Sequence, residues 1–161
     1  MPSTSNPNAP LPPNRPAEPS ALKLDLSRIR HDLRTPINHV LGYCEMLQEE
    51  EAIPEDFQTD LKKVHAGGRQ LLALINEYFD EATFEEKRRD LQRLSHELRT
   101  PVNHIVGYAE LLEEQAEERG LSRLLPDLRK IADAGHTWLG LMEEYLIRPG
   151  HEAELRPTGD G

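Results

Sequence analysis

The chain has 161 residues, with 29 acidic side chains against 19 basic ones and a formal net charge of -10. That balance excludes a nucleic-acid partner gripped by a basic face, and the lack of any apolar run near ~18 residues excludes a membrane span. One Trp, three Phe and four Tyr leave a core to be built mainly from Leu, Ile, Val and Ala, which suits packed helices.

Residues 1–19 contain seven prolines and few large apolar side chains. They cannot bury enough surface to offset chain entropy, which predicts a disordered tail. No apolar h-region is present, so a secretory signal is not expected and the cytoplasm is the expected location. From Ser20, a candidate N-cap, the pattern turns helical. Leu26, Ile29, Leu33, Ile37, Val40, Cys44 and Leu47 recur at steps of three and four, the seam of an amphipathic helix. Pro36 lies inside it and should bend the helix near residues 32–36. Cys44 is the sole cysteine, so no internal disulfide exists, and a buried, reduced thiol is expected.

The polar run Gln48 to Glu51 and Pro54 mark a turn. A second helix follows, with Phe57, Leu61, Val64, Leu71, Leu72, Ile75 and Tyr78 on its apolar face. Gly67 and Gly68, each costing about 1 kcal/mol relative to Ala in a helix, suggest close approach to a neighbouring helix. Thr83-Phe84-Glu85-Glu86 has the form of a capping box and predicts the start of the third helix. Its seam is Leu91, Leu94, Leu98, Val102, Ile105, Ala109 and Leu112, and Gly120 ends it. A fourth helix runs to Leu146, with Leu139, Leu141, Met142 and Tyr145 on its apolar face. Residues 148–161 read as a frayed tail.

The stretch from His31 to Tyr43, HDLRTPINHVLGY, returns 65 residues later as HELRTPVNHIVGY, from His96 to Tyr108. Every difference is conservative, so the chain contains a duplication. In the second and fourth helices the offset is 67: Asp60 to Val64 is answered by Asp127 to Ile131. Two tandem helical hairpins, residues 20–80 and 83–147, joined by a link of roughly five residues, predict an all-α, up-down-up-down four-helix bundle. The same seams would serve closure within one chain or between the two chains of a homodimer.

A helix turns ~100° per residue, so His31, two positions from both Ile29 and Leu33, points away from the core. Thr35 and Asn38 share its outward stripe, and Asp32 lies on its flank. His96, Glu97, Thr100 and Asn103 repeat the arrangement. An exposed imidazole, an adjacent carboxylate and a hydroxyl one turn away suit a nucleophile, an orienting base and a positioning group. Ordinary polar residues on a solvated face are the alternative reading of either copy. His39 and His104 are expected on the surface without a role, and His65, His136 and His151 lack paired metal spacing, so no metal site is expected.

These residues resemble the H-box of sensor histidine kinases. The following Gly-Tyr and the later run from Ala66 to Asn76 resemble the rest of their dimerisation and phosphotransfer domain, over roughly residues 22–80 and again 87–146. The resemblance implies a four-helix bundle of two hairpins whose exposed histidine accepts a phosphoryl group and passes it to an aspartate of a response-regulator receiver domain. It would make His31 and His96 phosphoacceptors, and Asp32 and Glu97 their assisting acidic neighbours. Thr35 and Thr100 would sit where the family positions water for dephosphorylation. Arg34, Asn38, Arg99 and Asn103 would lie on the receiver-docking face, with asparagine at 38 and 103 in place of a more usual small hydroxyl residue. Mg²⁺ would be carried by the partner receiver, with no cofactor on this chain. A kinase also needs a glycine-rich ATP-binding domain of well over 100 residues, for which ten glycines and the remaining length leave no room. Autonomous ATP-dependent kinase activity is therefore not expected. The reading that follows is a histidine phosphotransfer bundle. Its alternatives are a non-catalytic adaptor that binds or sequesters a receiver or a histidine kinase, and a dimerisation segment of a larger regulator.

Overall fold

Apolar residues spaced at three and four along four segments can be buried together only if the segments become helices and pack. The computed structural model describes residues 11–87 and 90–147, and the side chains of residues 26–86, 90 and 92–146. It shows α1 (Leu11–Gln48), α2 (Glu55–Tyr78), a one-turn α3 (Phe84–Lys87), α4 (Leu91–Glu118) and α5 (Leu125–Met142). A 3₁₀ turn (Ser122–Leu124) precedes α5 and a π turn (Glu143–Ile147) extends it. Helices α1 and α2 pack as one hairpin and α4 and α5 as the other, while α2 meets α4 and α1 meets α5. The four long helices thus form a ring that closes within the chain, with α1 and α4 on one diagonal. This is the expected up-down-up-down bundle.

The start of α1 differs from expectation. It begins at Leu11 rather than near Ser20. Pro12 and Pro13 fall in its first turn, where backbone N–H groups have no intrahelical acceptor and a missing donor costs little. Residues 1–10 and 148–161, the remainder of the two expected tails, lie outside the described residues.

The capping box also acts differently. Thr83 Oγ1 donates to the Glu77 carbonyl at 3.4 Å, and only α3 follows. The long α4 starts instead behind Asp90, whose Oδ1 accepts the Arg93 N–H at 3.2 Å, a local N-cap worth about 1 kcal/mol. The link between hairpins is accordingly longer than predicted. It is anchored by Phe79 and Phe84, both buried and stacked at 5.8 Å, and by Arg30, which donates to the Phe79 carbonyl at 2.6 Å. At the far end of α4, Gly120 at φ 72° closes the helix. The Leu121 N–H reaches the Ala116 carbonyl at 2.8 Å and the Gly120 N–H the Glu117 carbonyl at 3.3 Å, the paired bonds of a Schellman cap.

The core follows the predicted seams. Leu33, Ile37, Val40, Cys44, Leu98, Val102, Ile105, Ala109 and Leu112 are fully buried, each large one stabilising by about 1.5–3 kcal/mol. Ile29, Leu72, Leu139 and Leu141 pack at its edge. Trp138, the largest buried side chain, stands where the first hairpin has Leu71. Close approach at glycine is tightest at two positions, and Gly67 also lies close, 3.3 Å from Ile105 Cγ1 for an added Cβ. A Cβ on Gly68 would meet Leu41 Cδ2 at 2.8 Å, and one on Gly135 would meet Val106 Cγ2 at 2.5 Å, related positions of the two repeats.

Polar contacts between the hairpins obey the same duplication. Lys63 lies over Tyr108 at 5.3 Å and Lys130 over Tyr43 at 5.2 Å, each a lysine of one hairpin on an aromatic of the other. At the hairpin tips Arg119 pairs with Asp56 at 2.5 Å and lies over Phe57 at 5.2 Å. Arg123 reaches Glu50 at 3.6 Å. Charge neutralisation here lowers the Asp56 pKa, with the Arg119 hydrogen bond as the main cause.

Candidate functional site

Each candidate site is built around a proline within a helix. Pro36 and Pro101 are buried and lack the N–H that would reach the carbonyls of Asp32 and Glu97. One residue earlier, Thr35 Oγ1 donates to the His31 carbonyl at 3.0 Å and Thr100 Oγ1 to the His96 carbonyl at 3.2 Å. Threonine back-bonding of this kind bends a helix. It also spends the hydroxyl proton on the backbone, leaving the oxygen as an acceptor.

His31 and His96 are exposed, as their helical phase requires. Among the described residues neither imidazole is hydrogen-bonded to the carboxylate beside it. Those carboxylates reach across the bundle instead. Asp32 Oδ2 accepts the Tyr145 hydroxyl at 2.5 Å, and Glu97 Oε1 accepts the Tyr78 hydroxyl. Each acid is therefore held by a tyrosine of the other hairpin, related by the 65- and 67-residue offsets. The bond to Glu97, followed by burial, pushes the Tyr78 phenol up to about 12. The bond to Asp32 likewise raises that of Tyr145. Glu97 Oε2 also accepts from Arg93 Nε at 3.3 Å.

Helical spacing puts both tyrosines on apolar faces, which conceals their part in the candidate site. Their recurrence as tyrosine at an offset of 67, in an otherwise aliphatic pattern, was the available signal. Their partners were not readable, since Tyr145 and Asp32 are 113 residues apart.

The first copy opens into a shallow groove of about 450 Å³ between α1 and α5, lined by His31, Asp32, Thr35, Pro36 and His39 on one wall and Ala134, Thr137 and Leu141 on the other. His39, expected to be a bystander, thus shares a surface with His31. Near the second copy a hollow of about 290 Å³ is lined by Tyr78, Glu86, Asp90, Arg93, Leu94 and Glu97. Of the other candidates, Arg34, Asn38 and Asn103 are exposed and Arg99 is half-buried. His65 and His136 pair with Glu45 and Glu110 at 2.8 and 2.9 Å. Cys44 is buried at the core, and burial pushes its thiol up to about 12. Among the described residues no group of three or more His, Cys, Asp or Glu could hold a metal ion, and no helix is long and apolar enough to cross a membrane.

Comparison with known proteins gives the same two units. The family model of the His Kinase A (phospho-acceptor) domain matches residues 25–87 and again 86–146. The chain is similar to Probable histidine kinase 3 of Oryza sativa subsp. japonica, 33% identical over 96 residues, covering 60% of this chain and 9% of that protein. It is 29% identical over 116 residues to Histidine kinase 3 of Arabidopsis thaliana, covering 68% and 11% of the two chains. It is 29% identical over 118 residues to Cell-division control histidine kinase PdhS of Brucella ovis, with the same coverage of 68% and 11%. The chain thus spans about a tenth of the length of these relatives. No solved structure matches it significantly. Two matches that together take in most of the chain, each on one hairpin with its exposed histidine, show that it belongs to the His Kinase A phospho-acceptor family and so to two-component signalling.

Proposed function

We propose that the chain is a histidine phosphotransfer bundle that exchanges phosphoryl groups with response-regulator receiver domains through His31 and His96. The observation that carries this reading is the outward placement of both imidazoles, each with an acid beside it and a threonine oxygen one turn on. In the forward step a ring nitrogen of histidine forms the N–P bond as the P–O bond to the receiver's phosphoaspartate breaks. The aspartate leaves as a carboxylate, and the N–H on the other ring nitrogen stays in place, where a neighbouring carboxylate stabilises the positive ring. Mg²⁺ on the receiver neutralises the oxygens in flight. The bundle contributes position and charge, and Arg34, Asn38, Arg99 and Asn103 supply polar contacts to the receiver.

The test is phosphohistidine formation. The purified chain, a phosphorylated receiver and Mg²⁺ should yield acid-labile label that the double variant His31→Gln/His96→Gln does not take up, while that variant remains helical by circular dichroism. One observation favours a second reading. Both assisting carboxylates already accept tyrosine hydroxyls, as suits a surface kept for binding a receiver or a kinase without chemistry. Undiminished binding together with no label in the unmodified chain would establish that adaptor role.

A further inference from the structure

The two repeats share a sequence but differ in what surrounds their acids, and the difference bears on which histidine works. In the second copy both carboxylate oxygens of Glu97 are occupied, Oε1 by Tyr78 and Oε2 by Arg93. In the first copy Asp32 offers Oδ2 to Tyr145, and Oδ1 has no hydrogen-bond partner among the described residues. The residue that corresponds to Arg93 is Arg28, which makes no ion pair with Asp32 among those residues although it has the same helical spacing. The groove between α1 and α5 takes in His31, Asp32 and Thr35 together, whereas the hollow beside Glu97 does not include His96.

We propose that the bundle is functionally one-sided: His31 is the principal phosphoacceptor, and Tyr78 and Arg93 act as positioning residues that hold Glu97 away from His96. This deepens the phosphotransfer reading and rests on it. During transfer the ring of the phosphorylated histidine gains positive charge, and its remaining N–H needs an acceptor. An unoccupied Oδ1 on Asp32 can turn to it without breaking an existing bond. Glu97 must first give up a tyrosine or an arginine. The N–P bond formed and the P–O bond broken are the same at both sites, so the difference lies in the reorganisation that precedes them.

The experiment compares initial rates of acid-labile labelling from one phosphorylated receiver in His31→Gln and His96→Gln chains, each checked for helicity and for receiver affinity. His96→Gln should keep most of the rate. His31→Gln should lose at least about five-fold, well below the ~10²–10⁴ that a fully positioned acid or base contributes. Equal losses, or the greater loss in His96→Gln, would overturn the proposal while leaving phosphotransfer intact. A chain that takes no label at either histidine overturns the phosphotransfer reading itself. In the His31→Gln background, adding Tyr78→Phe and Arg93→Gln should raise labelling of His96 about two-fold or more at unchanged receiver affinity, using the scale of about ten-fold per 1.4 kcal/mol for the weak contacts removed. No rise would show that the occupied carboxylate is not what restrains His96.

Discussion

Removing the Tyr145 hydroxyl should loosen the bundle and leave its core untouched. A hydrogen bond to a carboxylate contributes about 1.5–3 kcal/mol where it is well shielded. Tyr145 and Asp32 are half-buried, so water can replace part of it, and Tyr145→Phe should cost about 1 kcal/mol. Tyr78→Phe should cost about the same. The two contacts share no partner, so the double variant should lose about 2 kcal/mol, additive to within ~0.5 kcal/mol. For a folded unit of this size that corresponds to a fall in Tm of roughly 6–10 °C. Urea unfolding followed at 222 nm measures it, and a cycle with Asp32→Asn isolates the pair. Alkaline pH supplies a second readout. The Tyr78 phenol is raised in the folded state from 10 to about 12, so its contribution is complete below pH 10 and is lost as pH climbs through about 12. Cys44 titrates over an overlapping range, from 9 to about 12, so the comparison must be between wild type and Tyr78→Phe. The variant should show a shallower loss of stability over that range. Unchanged stability in both variants, together with an unchanged alkaline slope, would refute the claim that the hydroxyls tie the hairpins together.

Other substitutions test the packing and the turns. Gly135→Ala places a Cβ 2.5 Å from a methyl of buried, β-branched Val106, and should destabilise by about 1 kcal/mol or more after the helix-propensity gain. Gly68→Ala meets chiefly the flexible end of half-buried Leu41, with Ile37 at an ordinary 3.7 Å, and should be near neutral; chemical denaturation of the pair reads the difference. Ala52 sits at φ 64°, so Ala52→Gly should raise stability by about 0.5–1 kcal/mol by relieving left-handed strain, seen as a higher Tm. Cys44 should resist alkylation in the native chain at neutral pH and react fully in urea, because burial keeps the thiol protonated; mass spectrometry after iodoacetamide follows both states.

The sequence by itself determined the seams, the duplication and the outward phase of the histidines. These properties depend on the ~100° turn of a helix and on apolar residues leaving water, so Leu33, Ile37 and Val40 could be placed inside and His31 outside from spacing alone. Local chemistry was less decisive. Thr83 had the form of an N-cap but bonds the Glu77 carbonyl, and Asp90 caps α4 instead, because several short polar side chains compete for the same exposed backbone groups. The acids beside the histidines could be identified by position, yet their state could not. Only the tertiary structure decided that Asp32 answers to Tyr145 and Glu97 to Tyr78 and Arg93. It also decided that His31 opens into a groove walled by the other hairpin. Helical phase fixes the direction in which a side chain leaves its own helix. What it meets there depends on how two hairpins close around a shared core, and that is set by packing between residues far apart in the chain.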